Sequence, residues 1–182
     1  NDISPERIAQ GIATIASNLA RQVKSGKVSE ADSKAALARV RPVPSFEGFD
    51  AHDLVIESAT EKEAVKQDIL ARLCPHLKKE ALLGSNTSSI SITRLASGTD
   101  RPEKFMGIHF MNPVPVMELV ELIKGIATDE PTFRSIMEFS IRLGKTTAVS
   151  EDFPAFIVNR ILLPMINEAT YWNALKVSER RP

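Results

Sequence analysis

Two short apolar runs separated by a helical stretch constrain this chain more than any other feature. HDLVIES at 52–58 and ALLGSN at 81–86 are continuous apolar segments bounded by polar residues, as strands buried on both faces require. Between them Val65, Ile69, Leu73 and Leu77 recur at every fourth position, one face of a helix that Glu61 begins and Pro75 ends or bends. ISITRLAS at 90–97 predicts a short helix closed by Gly98. KFMGIHF and ELVELI then read as strands on either side of a proline loop, close enough in sequence to pair, most simply antiparallel. Thr128 caps a further helix with Pro131 in its first turn and Phe133, Ile136, Met137, Ser140 and Ile141 on its buried stripe, until Gly144 stops it; TTAVS at 146–150 is another strand. This alternation describes an α/β sheet of the doubly wound kind.

Both flanks differ from this central part. Ser4-Pro5-Glu6 is an N-cap, a proline at the first helical position and a first-turn acid, and Ile8, Ile12, Ile15, Leu19 and Val23 follow on one face as far as Gly26. Ser29-Glu30-Ala31-Asp32 resembles a capping box, with Asp for the usual Glu, and opens a second helix ending near Arg41-Pro42. The two make a helical hairpin over 4–41, mildly basic with seven Lys or Arg against four Asp or Glu in residues 1–41. After Pro154 the run AFIVNRILLPMINEATYWNAL reads as a long, almost wholly apolar helix kinked at Pro164, which needs a partner. The expected division is residues 1–152, an α/β domain carrying the hairpin, and 153–182, the first helix of an all-α domain.

Composition excludes several classes. At 182 residues and 43% hydrophobic the chain can build a full core, and 23 Lys or Arg balance 23 Asp or Glu, so no overall field points to nucleic acid or an anionic membrane. The single cysteine, Cys74, has no partner for a bridge and suits a reducing, cytoplasmic setting. Cys and His spacing predicts no metal site, and no G-x-S-x-G elbow exists. No two glycines are closer than nine positions, so nothing here can form a glycine-rich phosphate loop. The chain opens at Asn1 without an initiator Met, which points to a start inside a longer protein.

His109 and Glu121 lie near facing ends of the two strands around the proline loop. If these strands pair, the two side chains can meet as a base and its orienting acid; the alternative is a strand-end histidine satisfied by backbone groups, with Glu121 on a solvent face. SNTSS at 85–89 directly follows a buried strand, at the edge where open α/β sheets bind ligands, and its hydroxyls and amide are either substrate contacts or caps for the next helix. Asn112 in the proline loop and Asn159 inside the apolar helix raise the same choice, and a buried amide such as Asn159 must find partners.

SNTSSISIT, FMGIHFMNPVPVMELVE and FIVNRILLPMINEA together resemble the L-3-hydroxyacyl-CoA dehydrogenase family, in particular its bacterial 3-hydroxybutyryl-CoA dehydrogenases, with few interruptions from Asp2 to about Thr170. The resemblance implies a Rossmann-like domain followed by a helical, dimer-forming domain, and NAD-linked interconversion of short-chain 3-hydroxyacyl-CoA and 3-ketoacyl-CoA. It implies that His109 takes the hydroxyl proton, that Glu121 is its paired acid, that Ser88 and Asn112 hold the substrate's oxygens, and that Asn159 is an active-site amide. Glu61, Lys66, Asn86 and Ser88 fall among the cofactor contacts, and Asp2 matches the acid that accepts the adenosine ribose hydroxyls, which favours NAD over NADP. Arg21, Lys24 and Lys27 in the basic hairpin are matched to the phosphates of CoA, against the plainer reading of a solvated helix face.

Three departures stand out. The strand, glycine-rich turn and helix that open the family have no counterpart before Asn1, and the pattern is lost after Thr170, so the chain resembles the middle of the enzyme. The family's Pro-Gly-Phe is Pro154-Ala155-Phe156 here, tolerable if the backbone there is ordinary. The implied partners are an acyl-CoA and, in the intact protein, a second copy. The rival readings are an inactive fragment that at most binds acyl-CoA or a partner subunit, and a relative acting on a different hydroxy substrate such as a sugar acid.

Overall fold

The computed structural model describes the backbone of residues 1–179 and the side chains of residues 1–173. By their contacts the residues fall into two units, Asn1–Ala51 and His52–Pro182. Residues 180–182, the end of the predicted 153–182 segment, lie outside the described residues.

The first unit contains the hairpin predicted over 4–41 and extends past it to Ala51. Helix α1 (Pro5–Lys24) is capped by the Ser4 hydroxyl, which accepts from the Arg7 N–H at 3.4 Å, and ends before Gly26, whose φ of 71° is the left-handed value that favours glycine. Helix α2 (Glu30–Arg39) packs against it. Only half of the capping box forms: Ser29 Oγ accepts from the Asp32 N–H at 3.0 Å, but the Asp32 carboxylate takes the Ser29 hydroxyl proton at 2.6 Å rather than reaching back to a backbone N–H. An aspartate is one methylene too short for that return contact. Neither helix contains a buried residue.

The second unit is built on a five-stranded sheet in sequential order: β1 (Leu54–Glu57), β2 (Leu82–Ser85), β3 (Phe105–Phe110), β4 (Leu119–Lys124) and β5 (Thr146–Glu151). All neighbours are parallel except β3 and β4, which run antiparallel as their short connection requires. Strand alternation divides the side chains between two faces. Met106, Ile108, Val120 and Leu122 lie on one, packed with Ile136 of helix α5 (Glu130–Arg142) and flanked by Leu54, Ile56, Leu82, Phe133 and Met137. Glu57, Ser85, Gly107, His109, Glu121 and Ile123 alternate with these onto the other, where α3 (Glu63–Leu73) sends Lys66 to Glu57 and α4 (Ile92–Ser97) presses Ile92 over Gly107. A Cβ on Gly107 would stand 2.9 Å from Ile123 Cβ and from Ile92 Cδ1, so the absence of a side chain lets α4 close on the sheet. Helices cover both faces, which makes the sheet doubly wound and Rossmann-like.

Five local expectations are corrected. Glu61 does not begin α3; Lys62 is the residue before it, and the Glu61 carboxylate is instead bonded to the 87–89 turn. Asp129 rather than Thr128 caps α5, accepting from the Thr132 N–H at 2.8 Å, because the Thr128 hydroxyl is committed to the Phe105 carbonyl and the Gly125 N–H. Ile141 is 56% exposed while Thr132 is buried, so the stripe of α5 is rotated toward its N-terminal turn. Helix α6 (Val158–Glu179) starts later than its composition implied and continues through Pro164. The backbone before it is not ordinary: Ala155 has φ 67° and Phe156 φ 49°.

Candidate active site

Register decides the first question. His109 and Glu121 are direct cross-strand partners in the antiparallel β3–β4 pair, so their side chains leave the same face of the sheet side by side. His109 Nδ1 lies 2.7 Å from Glu121 Oε2, with 8% of the imidazole side chain and none of the carboxylate exposed. The other oxygen, Oε1, accepts the N–H of Ile157 at 2.9 Å and of Val158 at 2.8 Å, where α6 begins. A carboxylate taking two backbone protons at a helix N-terminus is acting as an acceptor. With the carboxylate as acceptor the imidazole donates through Nδ1–H, and in that neutral tautomer the lone pair is on Nε2. The reading in which Glu121 faces solvent is excluded.

The adjacent edge of the sheet is shaped by one carboxylate. Glu61 Oε1 accepts from the Thr87 hydroxyl at 2.6 Å, the Ser88 N–H at 2.7 Å and the Ser89 N–H at 3.2 Å, so it organises the turn after β2. Burial works to raise its pKa, but the hydrogen bonds from Thr87 and Ser88, the charge of Lys66 and the Ser89 hydroxyl outweigh it and hold the group below the usual carboxylate range. Ser88 is pinned through its main chain at both ends, since its carbonyl also accepts from Asn159 Nδ2 at 3.2 Å. Asn86 Oδ1 accepts from the Phe110 N–H at 2.9 Å, which ties the end of β2 to the end of β3, next to His109. The structure thus brings His109, Glu121, Asn86, Ser88 and Asn159 onto one edge. The hydroxyls of SNTSS do not cap the next helix: Ser91 caps α4 through the Arg94 N–H at 3.2 Å, while Thr87 Oγ1 accepts from the Ile90 N–H at 3.0 Å within the turn and Ser88 is half-buried at the rim.

Residues 1–153 match the family described as the 3-hydroxyacyl-CoA dehydrogenase NAD-binding domain. The chain belongs to this family. A 3-hydroxybutyryl-CoA dehydrogenase of Bradyrhizobium diazoefficiens is 61% identical over 171 residues, covering 94% of this chain and 58% of its own length. A probable 3-hydroxybutyryl-CoA dehydrogenase of Bacillus subtilis is 43% identical, covering 93% and 59%. Among solved structures, the (S)-3-hydroxybutyryl-CoA dehydrogenase of Ralstonia eutropha superposes with a TM-score of 0.89 at 47% identity, over 92% of this chain and 59% of that one. The chain therefore spans somewhat under three-fifths of the length of these relatives in the 3-hydroxyacyl-CoA dehydrogenase family.

Not every residue that the resemblance singled out stands at this edge. Lys66 is buried behind it, 1% exposed, with Nζ 3.0 Å from both Glu57 oxygens, 3.3 Å from the Ala59 carbonyl and 3.6 Å from Glu61. It supports the loop that carries Glu61 and presents no free ammonium. Asn112 is exposed in the proline loop, which Lys145 tethers through the carbonyls of Val114 at 2.6 Å and Met117 at 2.8 Å. In the first unit, Asp2 is exposed with Oδ1 on the Ile3 N–H at 2.7 Å; Lys24 and Lys27 are exposed, and Arg21 is bonded to Asn18.

Sequence reasoning missed three contributors. Glu57 reads in the sequence only as a polar boundary of the first strand, yet its carboxylate is buried against Lys66 and the Ser85 hydroxyl at 2.7 Å. Asp152 holds Ser91 Oγ at 2.7 Å and the N–H groups of Ile92 and Thr93 at 2.9 and 2.8 Å, clamping the chain that leaves β5 to α4. Phe156 is buried beside His109, ring centroids 6.1 Å apart. The acids at 57 and 152 close a strand and open a turn, a signal too common to single them out.

Proposed function

We propose that this chain carries the proton-transfer site and part of the cofactor site of an NAD-dependent L-3-hydroxyacyl-CoA dehydrogenase acting on short acyl chains, of which 3-hydroxybutyryl-CoA is the leading candidate. The observation that carries it is the buried His109–Glu121 pair at 2.7 Å, in a chain 61% identical to a 3-hydroxybutyryl-CoA dehydrogenase.

The edge of β1 and β2 suits a nicotinamide group. It offers the Glu61 carboxylate, the Ser88 hydroxyl and the Asn86 amide, while Lys66, the nearest cation, is turned inward. An anionic and hydroxyl-rich rim matches the positive ring of the oxidised cofactor. NAD, when bound, supplies the hydride acceptor. His109 Nε2 takes the proton of the substrate's 3-hydroxyl, and Glu121 stabilises the imidazolium that results. In reduction the protonated histidine returns that proton. Ser88 and Asn112 are proposed to hold the substrate's oxygens, and Asn159, bonded to the Ser88 carbonyl, to steady the same rim. Asp2 is proposed as acceptor for the ribose hydroxyls of NAD, and Arg21, Lys24 and Lys27 as partners for the phosphates of CoA.

A homodimeric state and a cytoplasmic setting belong to the same proposal, supported by the exposed apolar residues of α6 and by the single, buried cysteine. The test is NADH oxidation with acetoacetyl-CoA, measured on this chain and on a form extended to the length of its relatives. His109→Gln is expected to lower turnover by ~100-fold or more, the usual range for loss of a general acid–base group. Near-unchanged turnover would remove His109 from the mechanism. Activity confined to the extended form would favour the reading of these residues as an acyl-CoA-binding part that is inactive alone. Equal activity on hydroxy acids without CoA would favour the other rival.

A further inference from the structure

The segment that joins β5 to α6 does more than connect them. Ala155 and Phe156 are consecutive residues with positive φ, 67° and 49°, and no other non-glycine residue among those described shares that conformation. The pair turns the chain sharply: the Phe156 N–H returns to the Phe153 carbonyl at 3.0 Å, and the Ala155 carbonyl accepts from Arg160 N–H at 3.2 Å. Two consequences follow at the same spot. The next two N–H groups, of Ile157 and Val158, both aim at Glu121 Oε1. The Phe156 side chain, 2% exposed, is driven down onto the sheet face beside His109, its ring tilted 60° to the imidazole at a centroid separation of 6.1 Å, within the range of edge-to-face ring contacts.

We propose that Phe156 is a positioning residue for His109, seated by the left-handed Ala155–Phe156 strap, so that ring and backbone amides together lock the imidazole onto Glu121. The proposal rests on the reading of His109 as the proton-transfer base. Glu121 cannot swing its Oε2 away while Oε1 is bonded to two amides. The buried Phe156 ring flanks the imidazole at 6.1 Å, a wall against its turning off Oε2 on that side. Cross-strand register brings the two side chains together; the strap fixes which way they face before any substrate arrives. Ala155 supplies the turn while carrying a Cβ that glycine would not, and Phe156 supplies the wall.

Proton NMR of the 182-residue chain tests this without requiring turnover. The Nδ1–H of a histidine bonded to a buried carboxylate gives a far-downfield exchangeable signal, identified here by its loss in His109→Gln. Phe156→Ala is expected to abolish this signal or move it upfield, with the amide signals of Leu82–Ser85 unchanged, and Ala155→Gly to retain it. Phe156→Leu, which keeps apolar bulk without the ring, is expected to shift it and decides the matter if Phe156→Ala does not fold. A signal unmoved in whichever of Phe156→Ala and Phe156→Leu folds would overturn the positioning role while leaving the His109–Glu121 reading intact. Absence of the signal from the unsubstituted chain would overturn both.

Discussion

Lys66 shows how far a residue's chemistry depends on what surrounds it. A lysine on a helix is ordinarily a solvated charge, yet here it and Glu57 are both nearly inaccessible, and each is the other's main compensation for leaving water. Lys66→Met should therefore cost about 3–5 kcal/mol by leaving a buried carboxylate unpaired, and Glu57→Gln added to it should recover much of the loss, in a double-mutant cycle by urea denaturation. Glu121→Gln makes a different point. The amide can offer its oxygen to the Ile157 and Val158 N–H groups only by turning its NH2 toward His109 Nδ1, which forces the proton onto Nε2 and removes the proposed base. Turnover in an active form should fall at least ~100-fold with substrate binding little changed, a split read from kcat and KM. At Glu61 and Asp152 burial is outweighed by hydrogen bonds, and both carboxyls sit below their ordinary range. A carboxyl whose pKa is depressed by folding stabilises above the unfolded value of about 4 and loses that contribution as pH falls through the lower folded value. Glu61→Gln and Asp152→Asn should each flatten the acid limb of a stability profile while changing its slope near neutrality little.

At the level of elements, caps and turns explain most of the agreement between sequence and structure, and also its failures. Ser4, Ser29 and Gly26 act locally, so their roles are legible in a few neighbouring residues. Thr128 and Glu61 were misread because each has a long-range partner, Phe105 in one case and the 87–89 turn in the other, that competes with the nearby helix end. Strand β3 accepts α4 only because Gly107 has no side chain; Gly107→Ala should destabilise by roughly 1–3 kcal/mol, the usual range for overpacking, as judged from thermal melts. The strap before α6 works in the opposite sense. A non-glycine residue in the left-handed region costs about 1–2 kcal/mol, part of which glycine gives back through greater freedom in the unfolded chain, so Ala155→Gly should raise stability by roughly 0.5–1 kcal/mol.

Across the whole molecule the contrast is between a well-covered sheet and an uncovered helix. Ile161, Leu163, Met165, Ile166 and Trp172 of α6 are each more than half exposed, a large apolar surface for one element. Sedimentation velocity should show concentration-dependent self-association that Leu163→Glu weakens; a monodisperse monomer at all concentrations would contradict this. The sequence alone determined the order of strands and helices, the doubly wound class and the identity of the residues that could do chemistry, because periodicity, caps and a long motif are written in neighbouring positions. Tertiary structure decided what those residues are. Only strand register put His109 and Glu121 on one face, only burial turned Lys66 inward toward Glu57, and only the handedness of residues 155 and 156 placed Phe156 against the imidazole. Each depends on groups that meet in space after being separated along the chain, and no local pattern encodes such a meeting.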